Sequence, residues 1–252
     1  MPYEVYLYLI IFIFGIVIGS FLNVCILRIP KGETVVTVPS HCMACGYELK
    51  WYDNVPLVSY IALRGKCRKC NTRISAQYPI IEAANGIIYC LTFALMGFSA
   101  GTACYCLLFS ALTVVSVIDW RTYEIPIGCN IFILTVGLIR LALDHEKWLL
   151  YVIGLFAVSV PLYLIFLISK GRGIGGGDVK LMAACGLMLG WKDIILAFVF
   201  GCILGSIIHL VRMKVSKADH VLAFGPYLSL GVAIAALFGE KIINMYLSLM
   251  FG

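Results

Sequence analysis

Long apolar runs broken by short polar ones dominate the chain, and their lengths set the first structural expectation. A bilayer takes about 20 helical residues to cross. Stretches of that order lie at Val5 to Leu27, Pro79 to Phe98, Gly101 to Ile118, Pro126 to Leu143, Trp148 to Ser169, Ile194 to Met213 and Val221 to Phe238. A shorter one, Val179 to Gly190, ends at the turn Trp191-Lys192-Asp193. The pattern predicts an all-α polytopic membrane protein of about eight transmembrane helices. The only long polar stretch, Arg28 to Gln77, falls between the first two spans. Three parts are therefore expected: a first transmembrane helix at 1–27, a loop at 28–78 and a membrane-embedded body at 79–252.

Composition agrees with this pattern. With 62% hydrophobic and 13% charged residues and a mean hydropathy of +1.00, the chain lies outside the range of soluble globular domains. The first segment is too long for a removed signal peptide and lacks a basic leading region and a small-residue cleavage site, so it is expected to stay. A net charge of +6 does not point to nucleic acid, because the excess sits in loops flanking the spans, where it orients the protein and meets anionic headgroups.

With the amino terminus outside, Arg28, Lys31, Lys50, Arg64, Lys66, Arg68, Lys69, Arg73, Arg121, Lys170, Arg172, Lys180, Arg212, Lys214 and Lys217 fall on the cytoplasmic side. Arg140, Lys147, Lys192 and Lys241 are left opposite. The positive-inside rule favours that orientation.

The polar loop carries Cys42-Met43-Ala44-Cys45 and Cys67-Arg68-Lys69-Cys70. Two Cys-x-x-Cys knuckles at this separation fit a zinc-ribbon-like structural Zn2+ site, since each aims two thiolates at one point and the pair closes a tetrahedral shell. A bound metal would supply folding free energy to a loop too small to make its own core. The competing reading is a pair of redox dithiols. His41 adjoins Cys42 but is redundant beside four cysteines, and His145, His209 and His220 have no ligand spacing. Cys25, Cys90, Cys104, Cys106, Cys129, Cys185 and Cys202 lie in or beside apolar spans and read as small buried hydrophobes.

Asp119 and Asp178 are the most informative charges, because each stands at the end of an apolar segment, where an ionisable group is costly and marks a functional site by default. Asp119 closes the run Gly101 to Ile118, and Asp178 follows Gly173-Ile174-Gly175-Gly176-Gly177. The expected topology puts both at the cytoplasmic side. Two aspartates held together can divide the roles of base and acid in peptide hydrolysis, one activating water while the other polarises the carbonyl. Singly, Asp119 could simply end a helix and Asp178 could be an N-cap. Lys180 could tune the field at Asp178 or mark the membrane interface. Gly15-x-x-x-Gly19 and Gly201-x-x-x-Gly205 are expected to let helices approach closely.

Asp119 followed by Ile125-Pro126, with the second aspartate inside Gly176-Gly177-Asp178-Val179-Lys180, resembles the type IV prepilin leader peptidases, membrane aspartic proteases of the Gly-x-Gly-Asp class. The resemblance runs through Gly19-Ser20-Phe21-Leu22-Asn23-Val24 with Arg28 and Pro30, the tetracysteine loop with Tyr78-Pro79 and Glu82, and Phe224-Gly225-Pro226. The chain departs from it at Pro126-Ile127-Gly128-Cys129-Asn130, where relatives more often place a polar residue directly after Ile-Pro.

The resemblance implies an enzyme of the bacterial cytoplasmic membrane, with 79–252 as its peptidase core. It would remove the basic leader of type IV prepilins or pseudopilins using Asp119 and Asp178. Many relatives with the tetracysteine loop also methylate the new amino terminus with S-adenosylmethionine; no residues of this sequence read as a site for that cofactor. Glu82 could receive a cationic substrate segment or pair with a basic loop residue. A transporter or ion channel with functional carboxylates is the alternative, disfavoured by the placement of both acids near one face and by the absence of repeated halves.

Overall fold

The computed structural model describes residues 2–216 and 222–251. Lys217, His220 and the expected span start at Val221 lie outside them. The described chain is helical, its only β pairing being two isolated bridges, His41 to Glu48 and Lys66 to Arg73. It divides into two compact units, Met1–Leu95 and Met96–Gly252.

In the first unit, α1 (Pro2–Arg28), a polar loop with a one-turn helix α2 (Val58–Ala62), and α3 (Gln77–Met96) follow one another. The α1 and α3 helices meet through small residues, as the Gly15 and Gly19 spacing predicts. A methyl on Gly15 would lie 2.7 Å from Gly86 Cα, and one on Gly19 would lie 2.7 Å from Glu82 Cα. Such close approach lets amides cross the contact. Asn85 Nδ2 donates to the Gly15 carbonyl at 2.7 Å, and Asn23 Nδ2 donates to the Tyr78 carbonyl at 3.2 Å. Both asparagines are fully enclosed, so these bonds satisfy groups that would otherwise be costly to bury.

The second unit holds α4 (Ala100–Thr122), α5 (Ile127–Leu143), α6 (Trp148–Ala157), α7 (Ser159–Ile168), α8 (Gly176–Leu189), α9 (Trp191–Ser216) and α10 (Gly225–Phe251). Among the described residues of the whole chain, six helical stretches are long and apolar enough to cross a membrane, and α5 is a shorter apolar helix. Together with α8 they account for the eight expected segments. α8 plays a particular part: Leu181, Met182, Ala184, Cys185, Leu187, Met188 and Leu189 are all buried, and it packs on α5, α6, α7, α9 and α10. Its apolarity on every side reflects enclosure by protein.

Three boundaries differ from the hydropathy reading. The segment expected as one helix from Trp148 to Ser169 breaks at Val158 into α6 and α7. Pro161 has no N–H to offer the carbonyl four residues back, and this disrupts the ladder there. α10 continues to Phe251, past the expected end at Phe238, because Gly239-Glu240-Lys241 interrupts the hydropathy without breaking the helix. α4 runs to Thr122 and carries Asp119 in its last turn, where Tyr123 (φ +58°) caps it with an N–H bond to the Asp119 carbonyl. At the Ile-Pro departure from the family pattern, α5 starts cleanly at Ile127 with Pro126 as its N-cap.

The two ends of this unit differ in charge. At one end, Arg212 near the end of α9 lies over the ring of Trp120 in the last turn of α4 at 4.5 Å. At the other, Arg140 sits over the rings of Tyr105 and Tyr151 and pairs with Asp144 at 3.8 Å, while Tyr151 donates to Asp144 at 2.8 Å. This cluster ties α4, α5 and α6 together and surrounds a half-buried guanidinium with two aromatic faces and a carboxylate.

Candidate functional site

The two aspartates come together. Asp119, from the last turn of α4, and Asp178, from the first turn of α8, are both buried. They line one cavity of about 330 Å³ with Tyr123, Glu124, Ile125 and Gly175 to Gly177. Asp178 is not the N-cap of its helix; that place belongs to Gly175, and the helix takes in the last two glycines of the run. Glu124 is exposed at the cavity and Lys180 is exposed on α8, so both remain in solvent while the aspartates do not.

Asp119 has a partner that the sequence did not reveal. The Gly225 N–H, at the first residue of α10, donates to Asp119 Oδ2 at 2.8 Å. The amino terminus of a helix concentrates unsatisfied N–H groups and partial positive charge, which favours a carboxylate. Glycine is required by space: a methyl at position 225 would fall 2.8 Å from Asp119 Oδ2 and 3.1 Å from its Cγ. Gly175 has the same relation to the other acid, with a methyl there 2.8 Å from Asp178 Oδ2. The motif Phe224-Gly225-Pro226 signals a helix start, but nothing local ties it to Asp119.

The four loop cysteines also converge. Their sulfurs all lie within 4.8 Å of one another, with Cys42 to Cys70 at 3.8 Å and Cys45 to Cys67 at 4.0 Å. A tetrahedron with metal–sulfur bonds of about 2.3 Å has edges of about 3.8 Å, whereas a disulfide needs about 2.05 Å. The set therefore fits a zinc ion.

The knuckles repeat one local design. Cys42 and Cys67 each receive an N–H bond from the residue four positions later, Gly46 and Asn71, and both of these have positive φ. Glycine and asparagine are the residues that take this conformation at least cost. Hydrogen bonding with the side chain and backbone of Thr72 pulls the Cys70 thiol down to about 6. At Cys45 a backbone bond from Tyr47 favours the thiolate, but desolvation and the neighbouring cysteines push it up to about 11. Four thiolates cannot share this volume without a cation among them.

Around the knuckles, Arg28 at the end of α1 donates to the carbonyls of Thr34, Val38 and Pro39. Asp53 receives Arg68 at 2.6 Å and the Tyr47 hydroxyl at 3.2 Å, bridging the two knuckles. The remaining cysteines form no second metal-binding group among the described residues. Glu82 is buried on α3 and accepts the Leu57 N–H at 2.8 Å. Among the described residues it makes no ion pair with a basic loop residue, and it lines a separate cavity of about 1240 Å³ within the first unit.

Comparison with known proteins bears on both parts of the chain. Residues 13–96 match the model of the bacterial peptidase A24 N-terminal domain, and residues 106–210 match that of the type IV leader peptidase family. A prepilin leader peptidase/N-methyltransferase of Stutzerimonas stutzeri is 31% identical over 93% of this chain and 92% of its own length. The protein of the same description from Burkholderia pseudomallei (strain 1026b) is 34% identical over 90% of this chain and 84% of its own. That of Bacillus subtilis (strain 168) is 30% identical over 96% and 99%. No solved structure matches the chain.

Proposed function

Since this chain belongs to the type IV leader peptidase family of membrane proteases, we propose that it removes the basic leader of type IV prepilins or pseudopilins, with Asp119 and Asp178 as its catalytic pair. The observation that carries the assignment of residues is the single cavity that both buried carboxylates line. Their shared position at one end of the bundle disfavours a transport pathway through the midplane.

The Gly225 N–H and the α10 terminus hold Asp119 as the charged base, and Asp178 keeps the proton that two adjacent carboxylates cannot both lose cheaply. Asp119 takes a proton from water, whose oxygen attacks the scissile carbonyl as Asp178 protonates the carbonyl oxygen. The protonated Asp119 then gives its proton to the leaving amine, and Asp178 recovers one from the hydroxyl of the collapsing intermediate. Both acids return to their starting states. A bond just outside a substrate's transmembrane helix would meet the cavity at this end of the bundle.

The charge distribution supports a multi-pass placement in the bacterial cytoplasmic membrane with this end cytoplasmic, since Arg121, Lys180 and Arg212 lie there and Arg140, Lys147 and Lys192 lie opposite. A structural zinc held by Cys42, Cys45, Cys67 and Cys70 leaves no open coordination position for chemistry.

Gly225→Ala tests the positioning of Asp119. Its methyl group displaces the carboxylate, and a misplacement of about 1 Å is worth about 10²-fold in turnover. Steady-state kinetics should show that loss in kcat with little change in KM; an unchanged kcat would remove Gly225 from the account.

The relatives' description extends to methyl transfer, and the same reading includes methylation of the new amino terminus with S-adenosylmethionine as the donor. The first unit has room for such a group in its large cavity. Asp119→Asn and Asp178→Asn should still methylate a substrate supplied already cut, because neither carboxylate belongs to that cavity. Incorporation of labelled methyl groups into pre-cut substrate measures this. No incorporation by the intact enzyme, with cleavage normal, would leave a peptidase only. Cleavage itself is read by incubating purified protein with a candidate prepilin and weighing the product. Loss of a leader-sized mass is expected, and an unchanged mass would contradict the proposed substrate.

A further inference from the structure

We propose that the large cavity of the first unit is the methyl donor's binding site and that Glu82 supplies the negative charge that recognises its sulfonium. This rests on the methyltransferase half of the reading above. The cavity is about 1240 Å³, ample for a nucleoside-sized ligand when typical small-molecule sites are about 300–1,000 Å³. The aspartate cavity, at about 330 Å³, is less roomy and already has a use.

Charged residues of both signs line the large cavity, Lys31, Glu33, Asp53, Arg68 and Arg73 among them, and Glu82 is a buried one that has no ion pair among the described residues. Glu82 is only 6% exposed, and its partners are neutral: the Leu57 N–H at 2.8 Å and the Ser20 hydroxyl. The buried guanidinium on the same cavity, Arg28, is committed to three carbonyls and makes no ion pair with Glu82. A buried carboxylate without a counter-charge is costly unless a cation arrives to complete it.

The local backbone supports a built site. Leu57 has φ +59° and ψ −48°, an unfavourable conformation for a branched side chain, and it is the residue whose N–H meets Glu82. Strain of this kind is tolerated where the surroundings hold it for a purpose. Phe21, Tyr60 and Tyr78 add aromatic faces to the lining, suited to stacking on a purine. A sulfonium beside Glu82 also gives the site a means of turnover. In the transfer, the substrate amine's lone pair forms the new bond to the methyl carbon, the carbon–sulfur pair returns to sulfur, and the amine loses a proton to water. The sulfur product is neutral, so it no longer has the attraction that held the donor.

The test is equilibrium binding of S-adenosylmethionine and of its neutral product S-adenosylhomocysteine to the full-length, zinc-loaded protein in lipid nanodiscs. Glu82→Gln keeps the shape and an oxygen to accept the Leu57 N–H. It should weaken S-adenosylmethionine by about tenfold, as expected for a charge-assisted contact, while leaving S-adenosylhomocysteine unchanged. Leu63→Trp, which fills the cavity from its wall, should weaken both while zinc content and leader cleavage persist. Equal effects of Glu82→Gln on the two ligands, or unimpaired binding to Leu63→Trp, would overturn the assignment and leave the methyltransferase reading standing. An intact donor affinity in Glu82→Gln, with a raised KM for prepilin cleavage, would overturn it in favour of a role in gripping the basic leader. Binding of neither ligand by the unaltered protein would overturn the methyltransferase reading itself.

Discussion

Replacing either Asp119 or Asp178 by asparagine is expected to cut leader cleavage by about 10²–10⁴-fold, the usual weight of general acid and base assistance. The amide keeps the shape of the carboxylic acid but can neither take up nor release the proton that the mechanism moves. Both positions are buried in one cavity, so neither loss is made good by solvent. The two variants should differ in one respect. Asparagine at 119 can still accept the Gly225 N–H through its carbonyl oxygen, so α10 should keep its place and the protein should remain folded and inserted. Helical content by circular dichroism and melting temperature, measured beside the cleavage rate, separate lost chemistry from lost structure. Near-wild-type turnover in either variant would remove that residue from the mechanism.

Withdrawal of zinc should have the second largest effect, and it should fall on the loop. Metal analysis is expected to find one zinc per chain, because four sulfurs within 4.8 Å of one another form one closed shell. In isolated zinc-finger peptides such binding is worth about 10–16 kcal/mol, more than a loop with so few buried apolar residues can replace. Chelation, or Cys67→Ser, should therefore expose residues 33–75 to protease. The α1 and α3 contact, built on Asn85 and the close glycines, has no zinc in it and should persist. Limited proteolysis with mass mapping would show cuts confined to the loop. Zinc-free protein purified without chelators or oxidants, with the same protease resistance, would contradict a structural metal.

What the sequence disclosed depended on how local the signal was. Apolar length announced the spans, and the cysteine spacing announced a cluster because each knuckle is a short closed turn with its own left-handed residue at Gly46 or Asn71. Asp119 and Asp178 stood out because charge is rare at such positions. Other features are matters of tertiary neighbourhood. Hydropathy cannot separate a helix facing lipid from one wrapped in protein, so the short segment Val179 to Gly190 gives no sign that α8 is the most enclosed helix of its unit. The bond from Gly225 to Asp119 joins residues 106 apart in sequence. Glu82 was legible as an acid near a helix start, but its link to Leu57 depends on how the loop folds back onto α3.

The most direct test of the paired-aspartate account is single-turnover cleavage of one purified prepilin by four proteins: unaltered, Asp119→Asn, Asp178→Asn and the double variant, all reconstituted in lipid. Residues acting as one unit give losses that do not add. With one shared site, the double variant should cleave within about threefold of the slower single variant. A double variant whose loss is the product of the two single losses would mean that the carboxylates act independently, and would contradict the shared site.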